Sequence, residues 1–421
     1  MKKKIIVRGP ALSRSGYGEH ARFVLRALKE KEDLFDIYIL NTTWGNTGWL
    51  YEDSAERKWI DANILKTSFY LQQSNEFDAS IQVTIPNEWH RMAPINIGVT
   101  AGIETTRVAP QWVEKSQEVN KIITISEHSK NTYLNTSYEA KNEKTGEVIK
   151  DFRCRVPIDI VHYPVKKFAK ADIDLDFETD FNFLTVAQWG PRKNLDNTIK
   201  WFIEEFIDVP VGLVVKVSIV NNSIIDRYEC EKKLKSLLSK YPNRQCKIYL
   251  LHGDMSDEEM TSLYSHSKIK AIISLAHGEG FGLPLFEAAY NGLPVLAPDW
   301  SGHLDFLYKP TSEGGNSKKK AHFAKVDYDL SPIQKEVIWD QVLIKESMWC
   351  FPKQGSYKMK LREMYKDHGR FKKQAKELQA WILENFTEQQ QYKKFIDIIM
   401  STVETTSDDE VNLLFDQLMA Q

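Results

Sequence analysis

Two hydrophobic patterns take turns along this chain. Short apolar runs predict buried strands, and the stretches between them carry apolar residues at helical spacing, as Phe23 and Ala27 do within 19–30. Strands that alternate with helices in this way are typical of parallel sheets joined by crossover helices. The chain is therefore predicted to be an α/β protein.

The predicted strands fall into two groups separated by a charged segment. They are 5–7, 36–40, 79–85, 95–100 and 121–125 in the first group, and 182–187, 211–220, 246–251, 269–275 and 295–297 in the second. Ser126 offers a capping hydroxyl and predicts the start of a helix. The second group also carries predicted helices, at 197–206, 227–239, 256–266, 284–291 and 302–307. The segment 164–180 begins with a proline, is charged and lacks sheet periodicity, so it is predicted to be a linker.

The last quarter of the chain has a different pattern. Residues 308–354 show neither period, and the Gly, Asn, Ser and Lys residues of 312–320 predict an exposed loop. Helical spacing returns from Tyr357 to the end, with a break predicted at 385–387. The end of the chain is therefore predicted to be helical.

Length and composition narrow the class of protein. At 421 residues the chain is too long for one hydrophobic core and fits two domains. A hydrophobic fraction of 42% and a charged fraction of 27% are ordinary for a globular protein and exclude disorder as the dominant state. No run of about 18 apolar residues occurs, so no transmembrane segment is expected. The apolar stretch after the charged start covers only 5–7, too short for a secretory signal.

Charge and cysteine usage add two expectations. The net charge of −2 argues against a surface that grips a polyanion throughout, and leaves room for a local basic groove. The four cysteines lie far apart without a C-x-x-C pair, so neither a disulfide framework nor a zinc site is expected. A cytoplasmic location is expected for the same reason. The histidines show no H-x-x-x-H spacing, and no metal is expected.

The most informative segment is A-H-G-E-G-F-G-L-P-L-F-E-A-A (276–289), which follows a predicted strand. Ligands of open α/β sheets bind at the carboxyl ends of strands, and the start of a helix offers free amides to an anion such as a diphosphate. Glu279 lies on the loop, and Glu287 is predicted in the first helical turn, where the helix dipole keeps its carboxylate ionised. Both carboxylates are predicted to face one crevice and to accept hydrogen bonds from sugar and ribose hydroxyls. The alternative is a purely structural junction with Glu279 in solvent.

Glu279 and Glu287, eight positions apart, resemble the E-x7-E signature of retaining GT-B-fold glycosyltransferases, nearest to the bacterial group 1 (family four) set. The segments N-G-L-P-V-L-A (291–297) and L-H-G-D-M-S (251–256) match the same family, and the resemblance covers roughly 182–307. It implies two Rossmann-like domains whose parallel sheets face each other across a cleft. These would be 1–170 and 171–387, with a C-terminal helix of about 388–421 that crosses back to the first domain.

The resemblance also implies roles for individual residues. Glu279 would contact hydroxyls of the transferred sugar, and Glu287 would hold the ribose of the nucleotide. Backbone amides would cradle the diphosphate around Gly280, Phe281, Gly282 and Leu283. The implied substrates are a nucleotide-diphosphate sugar as donor and a hydroxyl of a saccharide or glycan as acceptor, with no metal or other cofactor.

A second loop, A-Q-W-G-P-R-K-N (187–194), follows the first strand of the second group. The family usually supplies an arginine and a lysine here, and such fixed cations stabilise the charge of the leaving diphosphate. Lys193 matches the lysine, but Gln188 stands at the position of the arginine. Arg192 is the candidate replacement. The alternative is a solvated Arg–Lys pair.

Two segments of the first half also end predicted strands. S-R-S-G-Y-G resembles the family's glycine loop beside the donor phosphates, which makes Gly16 and Gly18 candidate donor-binding residues. Many family members have a histidine after the fourth strand, where this chain has Glu104 and Thr105. Glu104 is a candidate for orienting the donor sugar or the acceptor hydroxyl, and a helix-capping turn is the alternative.

The sequence thus predicts a retaining glycosyltransferase and leaves two alternatives. One is a DNA glycosyltransferase acting on hydroxymethylated bases, as some phage enzymes of this fold do. Its DNA acceptor would need a basic groove, and the candidate charge runs are 2–4, 318–320 and 370–373. The other is a non-catalytic nucleotide-sugar-binding scaffold, which Gln188 and the absent histidine favour.

Overall fold

The structure is a computed structural model that describes residues 2–45, 47–73, 76–141, 146–311 and 318–419, with side chains described as far as residue 404. Of the loop predicted over 312–320, residues 312–317 lie outside the described residues.

The first domain is built on a six-stranded parallel sheet. Its strands and an adjoining antiparallel hairpin are β1 (Lys3–Gly9), β2 (Phe35–Asn41), β3 (Ala79–Val83), β4 (Ile95–Thr100), β5 (Lys121–Thr124), β6 (Ser137–Lys141), β7 (Val148–Arg153) and β8 (Ile158–Ile160). The sheet order is β2-β1-β3-β4-β5-β8, and β6 pairs with β7. Every residue of β3 and β4 is buried, as expected for central strands covered by helices on both faces.

The helices of the first domain are α1 (Gly16–Lys29), α2 (Ala55–Gln72), α3 (Pro110–Lys115) and α4 (Glu127–Asn135). The hydroxyl of Ser126 accepts a hydrogen bond from the amide of Ser129 and caps α4, which confirms the predicted helix start. Ser15 caps α1 in the same way by accepting from the amide of Gly18. These caps place the beginnings of α1 and α4 at the carboxyl edge of the sheet.

A second six-stranded parallel sheet follows the linker, in the order β11-β10-β9-β12-β13-β16. The strands of this half are β9 (Asn182–Gln188), β10 (Gly212–Ser218), β11 (Lys247–Leu251), β12 (Ile269–Ile273), β13 (Val295–Pro298), β14 (Tyr308–Thr311), β15 (Lys318–Ala321), β16 (Ala324–Val326), β17 (Tyr328–Pro332) and β18 (Met348–Pro352). Its helices are α5 (Leu195–Glu205), α6 (Ile224–Leu238), α7 (Asp257–Tyr264), α8 (Leu283–Tyr290), α9 (Leu304–Leu307), α10 (Gln354–Lys366), α11 (His368–Asn385) and α12 (Glu388–Met419). Strand order reverses between β9 and β12, the point at which open α/β sheets bind ligands.

The segment 308–354 is more regular than its sequence predicts. It contains β14 to β18, in which β14 pairs with β15, β17 pairs with β18 and β16 extends the main sheet. Lys318–Lys320, predicted as part of a loop, belong to β15. Strands of three to five residues are too short to show an apolar period, and their pairing partners lie at a distance along the chain.

Helix α12 crosses back to the first domain, as predicted. Tyr392, Phe395, Ile396 and Ile399 pack in the same hydrophobic core as the strands of the first sheet. The main-chain amide of His162 also donates to the side chain of Gln391 at 3.2 Å. The predicted GT-B arrangement, two Rossmann-like domains with a returning helix, is confirmed.

Most of the tryptophans of the first half fill the core. Trp89 and Trp112 are buried, and Trp44 and Trp59 pack against the same cluster, whereas Trp49 is 42% exposed.

Among the helices that the structure describes, none has a stretch both long and apolar enough to cross a membrane.

Candidate active site

The loops at the carboxyl edges of the two sheets lie in direct contact. A Cβ added to Gly278 would lie 2.1 Å from the carbonyl oxygen of Glu104, and one added to Gly280 would lie 2.1 Å from that of Ala101. The hydroxyl of Ser126 donates to the carbonyl of Gly280 at 2.7 Å. Gly278 and Gly280 therefore permit close approach of the two domains. The sequence predicts contact with a ligand for Gly280 and not this packing role.

Two acidic and two basic side chains meet at this contact. The Lys193 ammonium lies 2.5 Å from Oε1 of Glu279, and Nη1 of Arg192 lies 3.2 Å from Oε2 of the same carboxylate. Nε of Arg192 also pairs with Oε2 of Glu104, from the first domain, at 3.0 Å. Arg192 further donates to the carbonyl of Gly278 at 2.8 Å. The loops after β4, β9 and β12 thus converge on one cluster.

Electrostatics keep Glu279 ionised. Burial alone would raise the pKa of the Glu279 carboxyl, but the Lys193 and Arg192 charges beside it lower the pKa to about 2. Burial raises the pKa of Glu104, which Arg192 only partly offsets. Burial also lowers the pKa of the Lys193 ammonium against the opposing effect of Glu279. Glu279 is therefore ionised and lies within hydrogen-bonding distance of the Lys193 ammonium and the Arg192 guanidinium.

Glu287 has a different environment. It is the fifth residue of α8 and lies in the second turn, so the prediction that the helix start keeps it ionised is wrong. Its Oε2 accepts a hydrogen bond from the hydroxyl of Tyr264, on α7, at 2.8 Å. Burial raises the pKa of the Glu287 carboxyl to about 7, with a further increase from Asp257 that outweighs Lys166. Glu287 therefore changes its charge near neutral pH.

A cavity of about 300 Å³ between the domains, here called the Glu287 cavity, brings several predicted residues together. Gly16 and Ser15 of the first domain line one side, and Leu283 and Glu287 of the second line the other. A Cβ at Gly16 would meet no atom within 4 Å, so this glycine leaves the cavity open. Gly18 does not line it. A Cβ at Gly18 would lie 1.9 Å from the carbonyl oxygen of Ser13. Gly18 therefore serves the packing of its own loop, contrary to its predicted contact with the donor.

A second cavity of about 540 Å³, here called the Lys193 cavity, lies over the carboxyl ends of β9, β10 and β11. Gln188 and Lys193 line it together with Pro284, at the start of α8. The side chain of Gln188 donates to the carbonyl of Ile219 at 2.7 Å. Met260 lines both this cavity and the Glu287 cavity, so the two are neighbours. A ligand longer than either cavity has room across both.

The glycine-rich junction before α8 is shaped as an anion cradle. Gly282 has φ +89° and caps the helix, a conformation that favours glycine. Within the described residues, the amides of Phe281, Gly282 and Leu283 donate no hydrogen bond to the protein. The ring of Phe281 itself is buried in the core of the second domain, so only its backbone faces the junction. Free amides at a helix start are the groups that bind phosphate.

The Arg192 side chain lies in the charged cluster and not in either cavity. Its guanidinium is bound to Glu104, Glu279 and the Gly278 carbonyl, and it lines none of the cavities described here. Arg14, which the sequence analysis did not single out, lines both cavities. The position of Arg14 within the first glycine-rich loop could have identified it as a candidate site residue. Thr105, the neighbour of Glu104, is buried and donates to the carbonyl of Arg107 at 2.9 Å, away from the cluster.

One group within the described chain has the composition of a metal site. Asp226, Cys230 and His252 each offer a ligand atom, all within 4.8 Å of one another. Oδ2 of Asp226, however, already lies 2.7 Å from the ring nitrogen of His252 and accepts from the amide of Ile219 at 2.9 Å. These hydrogen bonds hold the loop after β10.

The chain is similar in sequence to known glycosyltransferases. Residues 168–309 match the family described as glycosyl transferases group 1. A serotype-specific mannosyltransferase from Escherichia coli, WbdA, is 36% identical over 121 residues, which are 28% of this chain and 13% of that protein. The match thus spans only a small part of that relative's length.

Solved structures resemble the chain over nearly its whole length. A sucrose-phosphate synthase from Thermosynechococcus elongatus superposes with a TM-score of 0.60 at 11% identity, covering 96% of this chain and 100% of that one. HepE from Anabaena, in complex with UDP-glucose, gives 0.54 at 11% identity, covering 94% and 99%. A glycosyltransferase from Rickettsia africae gives 0.56 at 12% identity, covering 96% and 99%. At these identities the likeness concerns the fold.

Proposed function

Given that residues 168–309 belong to the group 1 glycosyl transferases and that the chain has the GT-B fold, we propose that it transfers a sugar from a nucleotide-diphosphate sugar to an acceptor hydroxyl. The observation that carries the proposal is the pairing of Lys193 with Glu279 beside the free amides at the start of α8. Together they offer a cation and backbone donors for a diphosphate, and a carboxylate for sugar hydroxyls.

The donor is proposed to lie across both cavities. Its diphosphate would rest between Lys193 and the amides of Gly282 and Leu283, with the transferred sugar against Glu279. Glu287, which lines the neighbouring cavity with Gly16, would accept hydrogen bonds from the ribose. Glu104, from the opposite domain, pairs with Arg192 and so fixes that side chain beside Glu279, where the sugar would lie.

The reaction is proposed to retain the anomeric configuration without a metal. The bond between the anomeric carbon and the phosphate oxygen would break, and the acceptor oxygen would bond to the same face of that carbon. The acceptor proton would pass to the leaving phosphate oxygen. Lys193 and the free amides would stabilise the charge of the leaving diphosphate. Turnover that is unchanged by a metal chelator supports this proposal, and turnover that stops contradicts it.

A saccharide or glycan acceptor is favoured over DNA. A cavity of about 980 Å³ adjoins the Glu287 cavity along α1, and eight carboxylates line it against five basic side chains. The carboxylates belong to Glu19, Glu52, Glu56, Asp254, Asp257, Glu258, Glu259 and Glu388. Burial alone would raise the pKa of Glu19, but Lys166 and Arg26 lower it to about 2. Ionised carboxylates accept hydrogen bonds from sugar hydroxyls and repel phosphates.

The basic runs proposed for DNA lie elsewhere. In the parts of the chain that the structure describes, none of 2–4, 318–320 and 370–373 lines these three cavities. Arg370 is paired with Glu363 and Asp367. Product formation on DNA containing hydroxymethylated bases, and none on oligosaccharides, would contradict the saccharide assignment.

The test of the proposed function is a panel of nucleotide sugars, including UDP-glucose and GDP-mannose. A donor that binds only the folded protein raises the melting temperature, by an amount that grows with donor concentration. A donor so identified is then assayed for release of the nucleoside diphosphate. Binding without transfer or hydrolysis would identify a scaffold instead of an enzyme, and no binding across the panel would contradict both.

A further inference from the structure

Two exposed aromatic rings of the first domain lie over the Lys193 cavity. Trp49 and Tyr51 line it, and they are 42% and 83% exposed. The rest of the lining comes mainly from the second domain, at the carboxyl ends of β9, β10 and β11. Large apolar rings left in solvent at the mouth of a cavity are typical of a binding surface.

The backbone holds both rings in place. The main-chain amide of Arg14 donates to the carbonyl of Gly48 at 2.8 Å, and that of Leu50 donates to the carbonyl of Leu12 at 2.9 Å. Side chains alternate along an extended segment, so burial of Leu50 in the core turns Trp49 and Tyr51 to the opposite face. The rings are thus fixed to the glycine-rich loop that also carries Gly16.

A bridge between the domains lines the same cavity. Nη1 of Arg14 lies 3.4 Å from Oδ1 of Asp254, which belongs to the loop after β11. The floor of the cavity carries amide and hydroxyl side chains, among them Ser218, Asn221 and Asn222. An apolar roof over a polar floor suits a flat heterocycle, which stacks on rings and presents hydrogen-bonding edges.

We propose that Trp49 and Tyr51 form the roof of the nucleotide site and contact the base of the donor, so that the first domain takes part in donor recognition. This rests on the proposed function, which puts the diphosphate of the donor beside Lys193. Lys193 and Gln188 line the same cavity as the rings, and the Glu287 cavity proposed for the ribose adjoins it, so a donor that lies across both cavities has room to extend its base to Trp49 and Tyr51. The first domain would then contact the base in addition to lining the Glu287 cavity through Gly16.

The test is calorimetric titration of wild type, Trp49→Ala, Trp49→Phe and Tyr51→Ala with UDP, GDP and inorganic pyrophosphate. Loss of one stacked ring is expected to weaken the nucleoside diphosphate about 5- to 150-fold. Pyrophosphate affinity is expected to change less than about twofold, since it has no base to stack. Trp49→Phe should keep most of the affinity. Trp339→Ala, which removes another exposed tryptophan that lines none of these three cavities, should bind as wild type does.

Three outcomes would overturn the inference. Equal nucleotide affinity in wild type, Trp49→Ala and Tyr51→Ala would show that the rings do not touch the base. An equal loss for pyrophosphate would show a general disturbance of the site. A raised KM for the acceptor with unchanged nucleotide affinity would assign the rings to the acceptor. If the wild type binds no nucleoside diphosphate, it is the proposed function that fails.

Discussion

Glu287 makes donor binding depend on pH in a way that the structure specifies. Its carboxyl has a pKa of about 7, because burial disfavours the charged form more than the Tyr264 hydroxyl favours it. The ionised fraction would rise from about one eleventh at pH 6 to about ten elevenths at pH 8. If the ribose hydroxyls bind the ionised carboxylate, the affinity for a nucleotide sugar should increase about tenfold over this range.

Glu287→Gln is the matched variant, because the amide keeps the shape of the side chain and does not titrate. At pH 8 we expect it to bind about 10- to 150-fold more weakly than wild type, the effect of a hydrogen bond to a charged acceptor of about 1.5–3 kcal/mol. At pH 6 the difference should shrink about tenfold. Tyr264→Phe removes the hydrogen bond that lowers this pKa, so the midpoint should move to higher pH.

The assay is calorimetric titration of a nucleotide sugar from pH 5.5 to 8.5, since a nucleotide sugar has no terminal phosphate to titrate in this range. The same pH dependence in wild type and Glu287→Gln would show that another group titrates. Tighter binding at low pH in wild type would contradict the proposed contact with the ribose.

Three further predictions test the cluster and the domain contact. Lys193→Ala should slow turnover about 100- to 1,000-fold with a smaller change in donor affinity. Stopped-flow kinetics measures the turnover and equilibrium binding measures the affinity. A loss of affinity alone would refute the role of Lys193 in stabilising the leaving group. Glu104→Gln should leave the free energy of unfolding unchanged or slightly higher in chemical denaturation at pH 7, because burial disfavours the Glu104 carboxylate more than Arg192 favours it and Arg192 keeps its contact with Glu279; a loss of about 1 kcal/mol or more would show that the interdomain pair adds stability. Gly278→Ala should reduce turnover about 100-fold, because its Cβ would push the domains apart. Gly369→Ala is the control, since a Cβ there would have no neighbour within 4 Å and should leave turnover unchanged. Equal turnover in both variants would contradict the close domain contact.

The repeated strands and helices of both sheets follow from local signals. The strand predicted at 182–187 is β9 (Asn182–Gln188), and the helix predicted at 284–291 is α8 (Leu283–Tyr290). Both are buried apolar stretches bounded by glycine, proline or a capping residue, which hydrophobic spacing reveals. The short strands of 308–354 escaped prediction because their pairing depends on partners that no local pattern shows.

The site was predictable in its residues more than in its contacts. Glu279, Glu287, Lys193 and Glu104 were named from motifs, and the structure brings Glu279, Lys193 and Glu104 into one cluster. Arg192 was a candidate replacement for the missing arginine, with the direction of its side chain left open, and that side chain turns to Glu104 across the domain boundary. Such a contact joins positions far apart in the chain, so spacing carries no information about it.

The charge of Glu287 could not be predicted from the sequence either. Its position on a helix was correct, but the helix begins at Leu283, one residue earlier than predicted, so Glu287 is the fifth helical residue. Its pKa is set by burial and by groups on other elements, Tyr264 and Asp257 on or beside α7 and Lys166 on the linker. Tertiary contacts, not the local sequence, therefore decide whether this carboxyl is charged.

The most direct measurement is a proton NMR time course of the full chain with a nucleotide sugar that it binds and a saccharide acceptor. Release of the nucleoside diphosphate should accompany a product whose anomeric configuration equals that of the donor, and Lys193→Ala should slow both together. A product of opposite configuration would contradict same-face transfer. A bound donor that stays intact with every acceptor would contradict catalysis itself.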